Sequence, residues 1–342
     1  MKRVLVTGAA GQVGSRLVRQ LLRRNYEVRA LVLPEDPLRH RLDGLEVEIQ
    51  EGNLLDSAVA ERAVEGVDAV IHTANFVSGT PEAFHNNILS TFNLTLAASR
   101  RADRLERFVH ISSSAVYPND SHILAPCYHP VDELHPKRPV GVYAASKWAG
   151  EEVVWSLARA SGLRVSVVRP SGIYSEARIL RAWTVGFVAQ ILRVGQSHPR
   201  SELYMADGTE LWHDLERAAP PETLCDIQDM EGRPWMYQPV DARDVALGCI
   251  CALEAPAAVG EAFNLSAPRI ISYHEAVSFI AEQAGQPVLQ WRVPVRWVFD
   301  LDNSKAKSLI GYCPQWGMER MVRSAWLFQR EGLEPENPEE VD

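Results

Sequence analysis

Lysine is scarce in this 342-residue chain, with only five, and arginine lifts the basic total to just 35 against 44 acids, a net charge of −9. Gripping nucleic acid or an anionic membrane needs a clustered positive field, so neither is expected as a partner. Cysteine is also scarce: Cys127, Cys225, Cys249, Cys251 and Cys313 make an odd set of five with no CxxC spacing. Neither a disulfide framework nor a zinc site is implied, and Cys249 and Cys251, in the stretch VALGCICALEA, read as small buried hydrophobes. Long apolar runs are missing, none reaching the ~18 residues a membrane helix needs. The opening MKRVLVTGAAG enters a strand pattern at once, without a signal-like apolar block, so a cytoplasmic protein is expected. What remains is ordinary for a globular chain, 46% hydrophobic and 23% charged. The length suits two domains, or one large α/β unit with an added lobe.

Short β-branched runs alternate with longer segments of helical period over residues 1–170, the pattern of a parallel sheet with crossover helices. Strands are predicted at Arg3–Thr7, Glu27–Leu33, Leu45–Gln50, Ala69–Thr73, Arg107–Ser112 and Arg164–Arg169. Helices are predicted at about Gly11–Asn25, Ser57–Val64, Asn86–Arg101 and Tyr143–Ser161, the first with an apolar stripe through Val13, Leu17, Val18, Leu21 and Leu22. After Pro170 the alternation fades, and residues 197–238 read as an insertion or lid rich in acids, aromatics and prolines. The last twelve residues, EGLEPENPEEVD, hold six acids and no base and read as a solvated tail.

Between the first strand and first helix, Gly8, Gly11 and Gly14 take the spacing GxxGxxG. Glycine permits a tight turn and a close backbone approach to a pyrophosphate, whose charge the free N–H groups of the helix N-terminus stabilise. Further on, Tyr143 and Lys147 form YxxxK, which on a helix sets both side chains on one face, one turn apart. A phenol with pKa near 10 is a poor base until nearby positive charge favours the phenolate. Lys147 would supply that charge, so that Tyr143 could take a proton from an alcohol or return one to a ketone.

The segment TGAAGQVG resembles the fingerprint of the extended short-chain dehydrogenase/reductases, the NAD-dependent epimerase/dehydratase family. Gly52-Asn53-Leu54 resembles its GDL, His72-Thr73-Ala74-Asn75 its HxAA, and Asn87 with Ser90-Thr91-Phe92-Asn93-Leu94 its NxxGTxNL. Arg169-Pro170-Ser171-Gly172-Ile173-Tyr174 resembles its RPxxIYG, Val240–Ala246 its VDVRDVA, and Asp302–Ala306 with Leu309–Tyr312 its C-terminal DxSKAxxxLGY. The resemblance implies a Rossmann-type doubly wound parallel sheet over residues 1–170, with a returning segment near 239–265. A smaller C-terminal substrate-binding lobe would comprise 171–238, including the acidic insertion 201–238, and 266–330, followed by the acidic tail 331–342.

By the same resemblance the cofactor would lie along Gly8, Gly11, Gln12, Val13, Gly14, Val32, Asn53, Leu54, Thr73, Ala74, Asn75, Asn87, Tyr143, Lys147, Pro170 and Ile173. Ser112-Ser113-Ser114-Ala115-Val116-Tyr117 resembles SSxxVYG, and counting back four from Tyr117 selects Ser113 as the third catalytic group, with Ser114 as the alternative. Ser113, Ser114 and Tyr143 would meet the substrate. At the ribose end Val32 and Leu33 replace the acid of NAD enzymes and the arginine of NADP enzymes; Glu35 and Asp36 follow, then Arg39 and Arg41, and the balance tips to NAD, with NADP as the alternative. His72 and His110 read as structural, and the histidines fit no metal spacing. Trp183, Phe187, Tyr204, Trp235 and Tyr237 could be core or pocket wall.

Dehydratases of the family carry an acidic pair after the catalytic hydroxyl, whereas Ser114-Ala115 stands here. That leaves an NAD(P)-dependent oxidoreductase acting on a secondary alcohol or ketone, with a small sugar-like polyol preferred. A nucleotide-sugar epimerase with tightly held NAD is the alternative, and a non-catalytic cofactor-sensing protein a third. Relatives commonly form homodimers through the YxxxK helix. Residues 201–238 carry −7 and the tail −6, leaving +4 for the remaining scaffold, which suits an anionic dinucleotide and, on the substrate side, disfavours a polyanion.

Overall fold

The run Arg3–Thr7 forms strand β1 with Val4, Leu5 and Val6 fully buried, because helices cover the sheet on both faces. The other strands of this sheet are β2 (Glu27–Val32), β3 (Glu48–Glu51), β4 (Ala69–His72), β5 (Arg107–Ile111), β6 (Val165–Pro170) and β7 (Ala262–Leu265). All seven are parallel, in the order β7-β6-β5-β4-β1-β2-β3, so the chain reverses direction of travel between β1 and β4. Helices α1 (Gln12–Arg23), α2 (Ser57–Ala63), α3 (Pro81–Ser99) and α4 (Gly141–Ser161) connect them. This computed structural model describes residues 2–118, 123–175 and 178–342. The Rossmann-type sheet expected from the sequence is present, with a smaller lobe beside it.

Two elements differ from the predicted bounds by more than two residues, each for a local reason. Helix α3 starts at Pro81, five residues before Asn86, because the Thr80 side chain accepts a hydrogen bond from Ala83 N and proline suits the first helical position. Strand β3 pairs only from Glu48, because Leu45 and Val47 turn back on Leu42 and Leu45 through backbone hydrogen bonds.

The stretch that reads as an insertion or lid supplies about a quarter of the lobe's buried core. Residues Leu211–Ala218 form a helix and Leu224–Asp229 a strand, and Leu203, Trp212, Leu215, Leu224, Cys225, Ile227 and Trp235 are buried together with residues from Ile179 to Ala325. Its acids alternate with apolar residues at helical spacing, so a strongly charged composition concealed an amphipathic element.

The tail is not a solvated end either. Glu334 pairs with Arg16 at 3.3 Å, Glu336 with Arg19 at 3.3 Å and Arg23 at 3.0 Å, and Pro335 O accepts from buried Arg243 at 2.6 Å. The three arginines form one stripe along α1, opposite its apolar face, and two of the tail's six acids, Glu334 and Glu336, pair with it. Among the described residues no helix is long and apolar enough to cross a membrane.

Candidate active site

A cleft of about 680 Å³ opens where the carboxyl ends of β1, β2, β4, β5 and β6 converge, at the reversal of strand order. Its floor is the turn after β1. Gly8 has φ +61°, and a Cβ there would lie 2.8 Å from Ala74 Cα; a Cβ on Gly14 would lie 2.2 Å from Gly8 O. Only glycine lets this loop touch the β4 extension, backbone to backbone. Thr7 ties the two strand ends, its Oγ1 accepting from Ala74 N at 3.2 Å, while Thr73 Oγ1 donates to Thr7 O at 2.6 Å. His72 is buried between the hydroxyls of Thr7 (2.8 Å) and Thr91 (3.1 Å). Burial, then the Lys147 charge, pushes its pKa down to about 3, so it stays neutral and braces the strand ends.

Polar atoms of the lining that are buried without a hydrogen-bond partner among the described residues include Gln12 Nε2 and Asn75 Oδ1. Buried polar groups are nearly always satisfied, so this pair suits a ligand with polar edges, such as a dinucleotide. Asn53 and Leu54 lie farther along the cleft. At that end Asp36 joins Val32 and Leu33 in the lining, whereas Arg39 turns to Glu51 at 2.5 Å.

Helix α4 carries Tyr143 and Lys147 into the same cleft, Tyr143 half-buried and Lys147 buried. Lys147 Nζ donates to Ile111 O, at the end of β5, at 2.7 Å. Burial lowers its pKa to about 8, against the pull of the Glu151 carboxylate one turn on. Ser113 caps a single 3₁₀ turn, Ser114–Val116; its Oγ accepts from Ala115 N at 3.2 Å, leaving its own proton for another acceptor. Behind α4, the Arg169 guanidinium grips Glu151 at 2.9 and 2.7 Å and donates to Tyr117 Oη at 2.6 Å, and Tyr117 in turn donates to Asn264 Oδ1 at 3.0 Å. This buried network fastens α4 to β6 and β7.

Of the residues singled out in the sequence, Gly8, Gly11, Gln12, Val13, Gly14, Val32, Asn53, Leu54, Thr73, Ala74, Asn75, Ser113, Ser114, Tyr143, Lys147, Pro170 and Ile173 all line this one cleft. Asn87 does not. Its amide accepts from Phe76 N (2.8 Å) and donates to Phe76 O (3.0 Å) and to Ser146 Oγ (3.1 Å), whose proton goes to Tyr143 O (2.8 Å). It braces the start of α4 from behind. Of the five aromatic candidates, Phe187 and Tyr237 line the cleft, while Trp183 and Trp235 are buried in the lobe core. Sequence reasoning missed Ser112 and Ser171, whose buried hydroxyls have no partner among the described residues, and Tyr174, Ile191, Trp297 and Phe299. Position after a strand end could have signalled the two serines, and the RPxxIYG-like segment could have signalled Tyr174; nothing local signals Ile191, Trp297 or Phe299.

The pattern of the NAD dependent epimerase/dehydratase family matches residues 4–266. The chain belongs to that family. Among relatives of this epimerase/dehydratase family member, a 4-hydroxy-2-methyl-3-oxo-4-farnesyl-3,4-dihydroquinoline-1-oxide ketoreductase of Stigmatella aurantiaca is 35% identical over 50% of this chain and 50% of its own. A 3 beta-hydroxysteroid dehydrogenase/Delta 5-->4-isomerase of Mycobacterium tuberculosis is 34% identical over 50% of this chain and 47% of its own. The chain thus spans about half the length of these curated relatives. A crystal structure of a short-chain dehydrogenase/reductase superfamily protein from Agrobacterium tumefaciens with bound NAD is 27% identical, with a TM-score of 0.77, covering 96% of this chain and 98% of that one. The family match ends before Trp297 and Phe299, so that part of the cleft is contributed from outside it.

Proposed function

We propose that the protein is an NAD-dependent oxidoreductase that interconverts a secondary alcohol and its ketone on a small molecule. The observation that carries this reading is that Ser113, Tyr143 and Lys147, from a strand end and a helix, share one cleft with the glycine turn. Below pH 8 the Lys147 ammonium, fixed on Ile111 O, keeps a positive charge one helical turn from the Tyr143 phenol and favours its ionised form. Ser113 presents its hydroxyl proton to the substrate oxygen. Tyr143 accepts the alcohol proton during oxidation and returns it during reduction. When bound, NAD supplies the hydride acceptor, and its reduced form the donor. Gln12, Asn75 and the glycine turn fit such a group, and Asp36 at the ribose end favours NAD over NADP because its carboxylate would repel a 2′-phosphate.

In this reading the sheet with residues 1–170 and 239–265 holds the cofactor, and residues 171–238 and 266–330 form the substrate side. The protein acts as a cytoplasmic homodimer joined through α3 and α4, consistent with the exposure of Phe84 and Phe92 on α3. The test is to purify the protein without added cofactor, denature it and quantify the released dinucleotide. An empty cleft that binds NADH reversibly and passes hydride to a ketone supports the oxidoreductase. Near-stoichiometric retained NAD would point to an epimerase that keeps its cofactor.

A further inference from the structure

We infer that the substrate is an apolar, ring-bearing secondary alcohol or ketone without a diphosphate, lying against an aromatic wall at the lobe end of the cleft. The inference rests on the oxidoreductase reading above and replaces the sugar-like polyol expected from the sequence. Beyond Tyr143 the cleft is walled by Tyr174, Phe187, Ile191, Tyr237, Trp297 and Phe299. These rings hold one another in place. Tyr237 stacks on Trp297 with centroids 5.1 Å apart and meets Phe299 edge-on at 5.4 Å, while Trp183 backs it from the core at 6.1 Å. The Tyr237 hydroxyl donates to Tyr174 Oη at 3.2 Å, so its polar tip is turned to a protein partner. A Cβ on Gly172 would lie 2.6 Å from that hydroxyl, so the missing side chain is what lets the phenol sit over the backbone just after β6. Tyr237, Trp297 and Phe299, 5%, 1% and 3% exposed, back this wall, and Tyr174 and Phe187 present the ring faces that a flat apolar ligand would cover.

Charge disfavours the nucleotide-sugar alternative. Among the described lining residues the cations are Lys147, already held by Ile111 O, and Arg178. A diphosphate would therefore find a single guanidinium on the substrate side, against a wall made mostly of apolar ring faces. The acids of residues 201–238, expected to set substrate charge, do not line the cleft; Tyr237 is that segment's contribution. Selection is by apolar shape rather than by an acidic field.

The probes are acetophenone, 2-acetonaphthone and a steroid ketone, a series of growing ring area, with UDP-glucose as the contrasting ligand. Each is titrated calorimetrically into the full chain saturated with NAD. The expected result is saturable binding that tightens with ring area, no binding of UDP-glucose, and at least about a tenfold weakening of the best ketone by Phe187→Glu. Phe187 is half-buried against the lobe core, so an unchanged unfolding transition and unchanged NAD affinity verify that the fold survives the replacement, and Phe187→Ala, with the same expected direction, serves as the milder variant. The inference is overturned if UDP-glucose binds and displaces a ketone, if no ring ketone binds, or if Phe187→Glu leaves ketone affinity unchanged. Wall-dependent binding without NADH oxidation would instead count against the oxidoreductase reading alone.

Discussion

Replacing Glu151 by glutamine removes one charge from a pair in which neither partner has access to solvent, with side chains 0% and 4% exposed for Glu151 and Arg169. The guanidinium keeps Tyr117 Oη as acceptor and its ring as a neighbour at 5.2 Å, but loses the carboxylate that balanced its burial. Breaking such a pair from one side costs about 3 kcal/mol or more, since the remaining ion stays desolvated. For a chain of this length the unfolding entropy is about 0.7 kcal/mol/K near 60 °C, so the melting temperature should fall by about 4 °C. The assay is calorimetric unfolding of the wild type, Glu151→Gln, Arg169→Met and the Glu151→Met/Arg169→Met double variant. The double variant should be less damaged than either single one, because two apolar side chains leave no unpaired charge. A single variant that melts within about 1 °C of the wild type would refute the reasoning, as would a double variant worse than the sum of the singles.

Gly14→Ala forces a Cβ to within 2.2 Å of Gly8 O, an atom that cannot yield without moving the turn. NAD affinity should drop by about tenfold or more while the far-UV dichroism spectrum stays native, measured by titration. The pH profile carries another prediction. Lys147, lowered to about 8 by burial, loses its charge as pH rises through that value, so kcat/KM should decline above it. Glu151 opposes the shift, hence Glu151→Gln should move the decline to lower pH; a profile flat from pH 7 to about 10 would contradict the coupling.

The sheet and its cleft were legible because their determinants are local: β-branched runs, a glycine turn, and YxxxK on a single helix. Boundaries slipped by more than two residues only where a cap such as Thr80-Pro81 or an edge strand such as β3 decided them. The lobe was opaque for a physical reason. Phe187, Tyr237 and the pair Trp297 and Phe299 come from three separate segments, successive ones about fifty to sixty residues apart, that meet only in the folded chain. Nothing in composition separates Phe187, a wall residue, from Trp183, a core residue four positions away. The tail misled because its acids were weighed alone, although Arg16, Arg19 and Arg23 repeat at helical spacing and advertise a basic stripe awaiting a partner. Asn87 shows the limit of motif transfer: the right residue at the right spacing supports the cleft from behind.

The most direct test of the central claim is Tyr143→Phe, compared with the wild type for NAD binding and for hydride transfer between NADH and the best-bound ketone. The account predicts unchanged NAD affinity and a rate lower by about a hundredfold or more, because only the proton-transferring oxygen is lost. Retention of more than about a tenth of the activity would contradict the acid–base role of Tyr143 and the proposed chemistry with it.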